Sequence, residues 1–412
     1  MRASLASSIG VTCAALLALP FVLPDEVPAP RQQLAGSQAD TLSGSTRSLP
    51  LTPRGAGAPG SDRAARPAGR ADLNSPDVEP FSLVGVVWDD PRAVLDGRVQ
   101  VRTRAADTGR WSPWLDLDAH PADAADPDAA EGRAHGSTAP LWVGASNGVE
   151  ARVRPAGGGS RSLPAGLRLD LVDPGPDPLR PRSPVPDLEL PELTKAGAEL
   201  QAEAETGTAN PYVGPRPRIV LRKGWGADEN LKEKGYVYTK TVKAAFVHHS
   251  ATGNGYSCSQ SASVLRSIYR YHVKSSGWRD FGYNFAVDKC GNIYEGRAGG
   301  VAKPVMGAHT LGFNTDSTGI AVLGTFGSTN PSDAAVDAVA KLTAWKLGLH
   351  GADPQGATYL TSGGSNLYKK GANVRLNVIS GHRDGFSTEC PGQLLYSRLG
   401  DLRWQAGQLQ GR

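Results

Sequence analysis

The chain holds little of what usually classifies a protein at sight. Its 412 residues include four cysteines, two methionines and only 7% aromatic residues. Four cysteines exclude a dense disulfide scaffold. Neither sign of charge dominates, with 44 Lys and Arg against 40 Asp and Glu, so the formal net charge is +4. A nucleic-acid binder normally carries a concentrated basic stripe; none is present, so nucleic acid is excluded as the expected partner. The apolar fraction, 39%, is modest, whereas 50 Gly and 31 Pro make up about a fifth of the chain. That balance implies long stretches without a packed core, set beside one or two real domains.

Residues 3–24 carry no charge and centre on Ala14-Ala-Leu-Leu-Ala-Leu19. The pattern reads as a signal peptide over residues 1–28, or as a membrane anchor if it is retained. A membrane is a partner only in the second case. Either way the remainder lies outside the cytoplasm, where disulfides persist. Residues 29–77 lack hydrophobic periodicity and read as a disordered spacer. Residues 78–173 alternate apolar and polar positions, as in Val99-Gln-Val101, Val149-Glu-Ala151-Arg-Val153 and Leu167-Arg-Leu169. Short alternating runs between Gly, Pro and Asp turns predict a small all-β sandwich. Trp111 and Trp114 in it are either sugar-stacking residues or ordinary core and rim. Its role is wall binding or folding and spacing. Residues 174–217 form a Pro-rich linker, with a turn or two of helix at Ala198–Glu205. Residues 218–412 read as an α/β domain, a mixed sheet flanked by helices.

Chemistry concentrates in that last domain. With Cys13 removed along with a signal peptide, three cysteines remain: Cys258, Cys290 and Cys390. Two can pair and the third needs another role. His248 and His249 end an apolar strand, and only one of them can face a given site because side chains alternate. His382 lies just past a second strand, with Cys390 eight residues on. A loop of that length can fold back and set the two side by side. With one strand histidine they form a His/His/Cys set, which leaves the fourth position of a tetrahedral zinc open, the catalytic pattern. The alternative is a buried free thiol with two unrelated histidines. His272 reads as a hydrogen-bonded core histidine, His350 as a partner of a helix dipole, and His135 as a solvated loop residue.

Several motifs occur in order from residue 218 to about 405: Arg222-Lys-Gly-Trp225-Gly-Ala, Phe246-Val-His248-His-Ser-Ala, Gly277-Trp-Arg-Asp-Phe-Gly-Tyr283-Asn-Phe, Tyr294-Glu-Gly-Arg297, Gly307-Ala-His309-Thr-Leu-Gly-Phe-Asn314, Gly319-Ile-Ala-Val-Leu-Gly, Gly381-His382-Arg-Asp and Thr388-Glu-Cys390-Pro-Gly. In these the chain resembles the peptidoglycan recognition protein family, within the wider zinc-dependent N-acetylmuramoyl-L-alanine amidases that include amidase-type phage lysozymes. The resemblance implies that fold, peptidoglycan as partner and one catalytic Zn2+ held by His248, His382 and Cys390. It implies catalytic roles for Tyr283 and Thr388, substrate contacts for His309, Asn314 and Arg297, and a structural place for His249. With Cys390 assigned to the metal, it also implies a Cys258–Cys290 disulfide.

The expected protein is a secreted, monomeric zinc hydrolase cleaving the bond between N-acetylmuramic acid and L-alanine. Family members that bind without cleaving often lack the Cys ligand, which this chain keeps. The rivals are a non-catalytic binder of the same fold and a cysteine hydrolase using Cys390. The second is disfavoured because Cys390 precedes Pro391 and opens no evident helix that would activate a thiolate. Two departures stand out. The segment Arg297–Pro304 is lengthened and lacks the Gly-Trp pair of many members, and residues 366–375 look like an inserted polar loop.

Overall fold

A computed structural model describes residues 44–53, 71–119, 133–155, 163–177, 188–207 and 210–412. The expected signal peptide or anchor at residues 1–28 lies outside them. Among the described residues no helix is long and apolar enough to cross a membrane.

The N-terminal part is all β, built from β1 (Ser45–Pro50), β2 (Thr52–Pro53), β3 (Ala71–Ser75), β4 (Phe81–Trp88), β5 (Gly97–Ala105), β6 (Leu115–Leu117), β7 (Gly136–Ser137), β8 (Leu141–Pro155) and β9 (Arg168–Asp173). All pairings are antiparallel, in the order β1-β9-β4-β8-β3-β2, with β5 and β6 joined through β8. The fifteen residues of β8 serve two neighbourhoods: the first half pairs with β4, the second lies between β3 and β5. Val99, Val101, Val149, Ala151 and Val153 point inward, as their alternation requires. The spacer expectation for residues 29–77 is corrected here, because residues 45–53 and 71–75 supply three strands. These sit toward the sheet edges, where Ser45-Thr-Arg-Ser-Leu-Pro50 is mostly exposed and needs no apolar alternation.

Strand β4 explains its own near-continuous apolar run. Val84, Val86 and Trp88 face the sandwich core, while Leu83 and Val87 on the opposite face pack into a second cluster with residues of the C-terminal domain. A strand buried on both faces has no polar side to show.

The C-terminal part carries a seven-stranded sheet, built from β10 (Glu189–Leu190), β11 (Ile219–Val220), β12 (Ala244–His249), β13 (Phe285–Val287), β14 (Ile293–Glu295) and β15 (Ser317–Val322), with a hairpin of β16 (Ala357–Thr361) and β17 (Asn373–Asn377) preceding the last sheet strand, β18 (Ile379–Gly381). Its order is β10-β11-β14-β13-β15-β12-β18. The helices are α1 (Lys195–Thr206), α2 (Arg222–Trp225), α3 (Ser261–Arg270), α4 (Asp333–Gly348), α5 (His382–Gly385), α6 (Gln393–Tyr396) and α7 (Leu399–Gln410). Apolar residues of α4 and α7 cover one face of the sheet and those of α3 the other.

Two linker boundaries move. Strand β10 belongs to this sheet, and Ala198 and Ala202 of α1, four residues apart, bury against its core with Val213. Residues 188–207 are therefore part of the domain, capped at Thr194, whose Oγ1 accepts from Gly197 N at 3.2 Å. The supposed polar insertion at 366–375 is largely the turn of the β16–β17 hairpin, which buries Leu360, Val374 and Leu376.

Candidate metal centre

Strand β12 lies between β15 and β18 and runs parallel to both. It is buried throughout, so its side chains alternate between two packed faces. Phe246 and His248 share one face. His249 takes the other, where its Nδ1 accepts from Phe326 N at 3.4 Å. Only one histidine of the pair faces the site, as alternation requires.

Val247 pairs with Gly381, so the residue after β18, His382, arrives beside His248. The ring centroids stand 4.5 Å apart. The chain then turns through α5 and returns, with Arg383 N donating to Cys390 O at 3.1 Å. Thr388 Oγ1 accepts from Cys390 N at 3.2 Å and holds the turn that presents the thiol. Cys390 Sγ lies 3.8 Å from His248 Nδ1. One ligand atom from each of His248, His382 and Cys390 falls within 4.8 Å of the others, and all three residues are buried. Bonds of about 2.0–2.3 Å place the donors of a tetrahedral zinc roughly 3.5 Å apart, and two nitrogens with one sulfur suit that ion. The residues present fit the metal.

Tyr283 completes the inner ring. It is 2% exposed, with its ring 5.2 Å from that of His248 and 5.8 Å from that of His272. Its carbonyl accepts from Arg297 N at 2.8 Å. His272 is the expected core histidine: its Nδ1 accepts from Gly282 N at 3.1 Å and its ring stacks on Trp278 at 4.4 Å.

The three expected substrate residues are occupied within the protein. His309 is 0% exposed, its Nδ1 3.3 Å from His248 Nε2. Asn314 is buried, and its Oδ1 accepts from His309 N and Thr310 N at 2.8 and 2.9 Å. Arg297 donates from Nε to Phe281 O at 2.8 Å. Burial lowers its pKa to about 10, against the opposing charge of Asp280. Sequence reasoning missed Thr310 and Ser317, which are buried against the same rings, Thr310 Oγ1 3.1 Å from His309 Nδ1 and Ser317 Oγ 3.4 Å from His309 Nε2; Thr310 stood inside a quoted motif, but nothing in its type marked it.

The lengthened segment after Arg297 is held from beneath by Lys346 of α4. Its Nζ donates to Val301 O and Lys303 O at 2.8 and 2.7 Å. Burial drops the pKa of this amine to about 7. His350, one turn on, follows the end of α4, and burial and Lys346 bring its pKa down to about 4. His135 is half-buried, with its Nδ1 3.2 Å from Ser275 O. Cys258 and Cys290 are joined, with Cα atoms 6.2 Å apart. The disulfide ties the start of α3 to the β13–β14 turn.

Comparison with known proteins covers both halves. Residues 36–182 match the family model described as Rv3811 N-terminal galactose-binding domain-like, and residues 238–393 match N-acetylmuramoyl-L-alanine amidase. Peptidoglycan-recognition protein SC2 of Drosophila melanogaster is 33% identical over 184 residues, covering 44% of this chain and 84% of that one. The human N-acetylmuramoyl-L-alanine amidase is 28% identical over 208 residues, 49% of this chain and 31% of that one. Among solved structures, wild-type Drosophila PGRP-LB aligns with 27% identity and a TM-score of 0.35, over 44% of this chain and 92% of that one. The N-terminal domain is thus galactose-binding-like, and from its sequence match to the SC2 protein along most of that relative's length, the chain belongs to the peptidoglycan recognition protein and type 2 amidase family.

Proposed function

We propose that the chain is a zinc-dependent N-acetylmuramoyl-L-alanine amidase that acts on peptidoglycan outside the cytoplasm, as a monomer. Cys390 carries this reading. A buried thiol beside two buried imidazoles makes a complete three-ligand set, for which pure recognition has no chemical use. His248, His382 and Cys390 would hold one zinc ion, which when bound supplies Lewis acidity and activates water near neutral pH. Tyr283, packed against His248, aims a hydroxyl at the oxygen where charge develops in the attacked lactyl carbonyl. Thr388 sits beside the thiol ligand and assists the same oxygen. Arg297 braces the Tyr283 loop through the carbonyls of Phe281 and Tyr283. The name of the human relative supports amidase chemistry, and the Cys258–Cys290 disulfide supports an oxidising compartment.

A second reading, recognition without cleavage, is favoured by the name of the fly relative. Muropeptide release measured with and without a chelator separates the readings. Loss with chelator and rescue by zinc is the expected outcome. No release under any condition favours the binder. Release that survives the chelator and is lost on alkylation favours a cysteine hydrolase.

A further inference from the structure

Resting on the zinc reading, we propose that His309 is a positioning residue of the metal centre, the middle link of a relay that sets which nitrogen of His248 is offered to the ion. The two nitrogens of His248 face different surroundings. Nδ1 lies on the side of Cys390 Sγ, 3.8 Å away. Nε2 lies 3.3 Å from His309 Nδ1 and 3.5 Å from Thr310 Oγ1. A ligating histidine is oriented by the hydrogen bond that its other nitrogen makes.

The protons can be followed from the far end. Ser317 Oγ donates to Phe313 O at 2.5 Å, so its one hydrogen is spent. Ser317 Oγ also lies 3.4 Å from His309 Nε2, and can only accept there. His309 therefore carries its proton on Nε2 and keeps a lone pair on Nδ1. That lone pair faces His248 Nε2 at 3.3 Å and the Thr310 hydroxyl at 3.1 Å; whether it takes the hydrogen of His248 Nε2 directly, or takes that of Thr310 while Thr310 Oγ1 accepts from His248 Nε2 at 3.5 Å, the hydrogen of His248 sits on Nε2. His248 Nδ1 is then left with a lone pair directed to the side of the thiol. A backbone carbonyl thus fixes, through one hydroxyl and one imidazole, the tautomer a metal ligand needs.

His309 is held hard for this task. Its N–H and that of Thr310 both donate to Asn314 Oδ1. Its ring lies over Gly319 and Gly307, where an added Cβ would come within 2.3 and 2.5 Å of ring atoms. His309, Thr310 and Ser317 are all fully buried.

The test uses the full chain. Zinc affinity is measured by competition with a chromogenic chelator for wild type, His309→Phe, His309→Gln and Ser317→Ala, and nitrogen NMR reports the His248 tautomer in each metal-free protein. Expected are an Nε2–H tautomer in wild type, a loss of about 10- to 100-fold in zinc affinity for His309→Phe, a smaller loss for Ser317→Ala, and partial retention by His309→Gln, whose amide oxygen can still accept. Ser317→Ala also serves where His309→Phe does not fold. Zinc bound equally by wild type and the folded variants, or an Nδ1–H tautomer in wild type, overturns the relay and leaves the zinc reading standing. A wild-type chain with the Nε2–H tautomer but no affinity for zinc overturns the zinc reading and keeps the relay as a structural device.

Discussion

The metal centre and the seam between the two domains are both made of residues remote in the chain, yet they hold together by opposite means. At the centre, three ligand atoms from a strand, the start of α5 and a turn meet within 4.8 Å. At the seam, Leu83, Val87, Trp142 and Val172 of the sandwich share one buried cluster with Val264, Leu265, Ile268 and Tyr271 at α3. Tyr271 reaches into the sandwich, its hydroxyl donating to Thr138 O at 3.1 Å. Gly85 makes room for it, since a Cβ there would stand 2.2 Å from that hydroxyl oxygen. Trp142 N donates to Thr252 O at 3.1 Å, in the loop that leaves β12 after the histidine pair. The sandwich is thus seated on the C-terminal sheet domain. The comparison teaches that the centre depends on chemistry few residue types can supply, whereas the seam depends on shape that many could.

Four changes test that contrast, from the largest expected effect down. Cys390→Ser should abolish zinc retention on dialysis and lower muropeptide release by orders of magnitude while leaving the fold intact; a variant that keeps its metal and turnover removes the thiol from the centre. Tyr271→Ala should cost about 3–5 kcal/mol through the cavity it opens. Calorimetry of the full chain should show sandwich and sheet domain melting together in wild type; two well-separated transitions would mean that the shared cluster does not couple them. Tyr283→Phe should keep zinc content but lose roughly 100- to 1,000-fold in turnover, about 3–4 kcal/mol of transition-state stabilisation. Unchanged turnover would leave the ring as packing alone.

The smallest effect concerns Lys346. Its pKa falls from 10.5 to about 7 on folding. Between those values the unfolded chain binds the proton and the native chain does not, so this group makes stability rise with pH across that window. Lys346→Met should flatten the rise by about 1.4 kcal/mol per pH unit at most, read by urea unfolding at pH 7, 8 and 9. Parallel slopes for the two proteins would show that the amine stays charged in the native state.

Much of the centre was legible because its residue types are few and their chemistry specific. Two histidines at strand ends and a cysteine eight residues beyond the second suggested a metal, and the ordered motifs around them pointed to a family. The roles of His309 and Asn314 were not legible in the same way. Their motif places them near the site, but whether a side chain meets solvent or a neighbouring ring depends on what packs above it. Strands β1 to β3 escaped notice because edge strands bury little and need no alternation. Helix α1 was read only as a turn or two inside a linker, because two alanines four residues apart are a weak apolar signal, even though they pack fully. The run Phe81–Trp88 did hold a clue: a sandwich strand apolar on both faces must be covered twice.

Residue chemistry and local period alone determined the two domain classes, the strand that carries His248, and the kinds of ligand available for a metal. Tertiary structure decided which nitrogen of His248 faces the thiol, where Arg297 and Lys346 place their donors, and that the sandwich rests on α3. The reason is physical: a side chain's type and spacing are properties of the chain itself, but its burial, its hydrogen-bond partner and its tautomer depend on neighbours delivered from elsewhere by the fold.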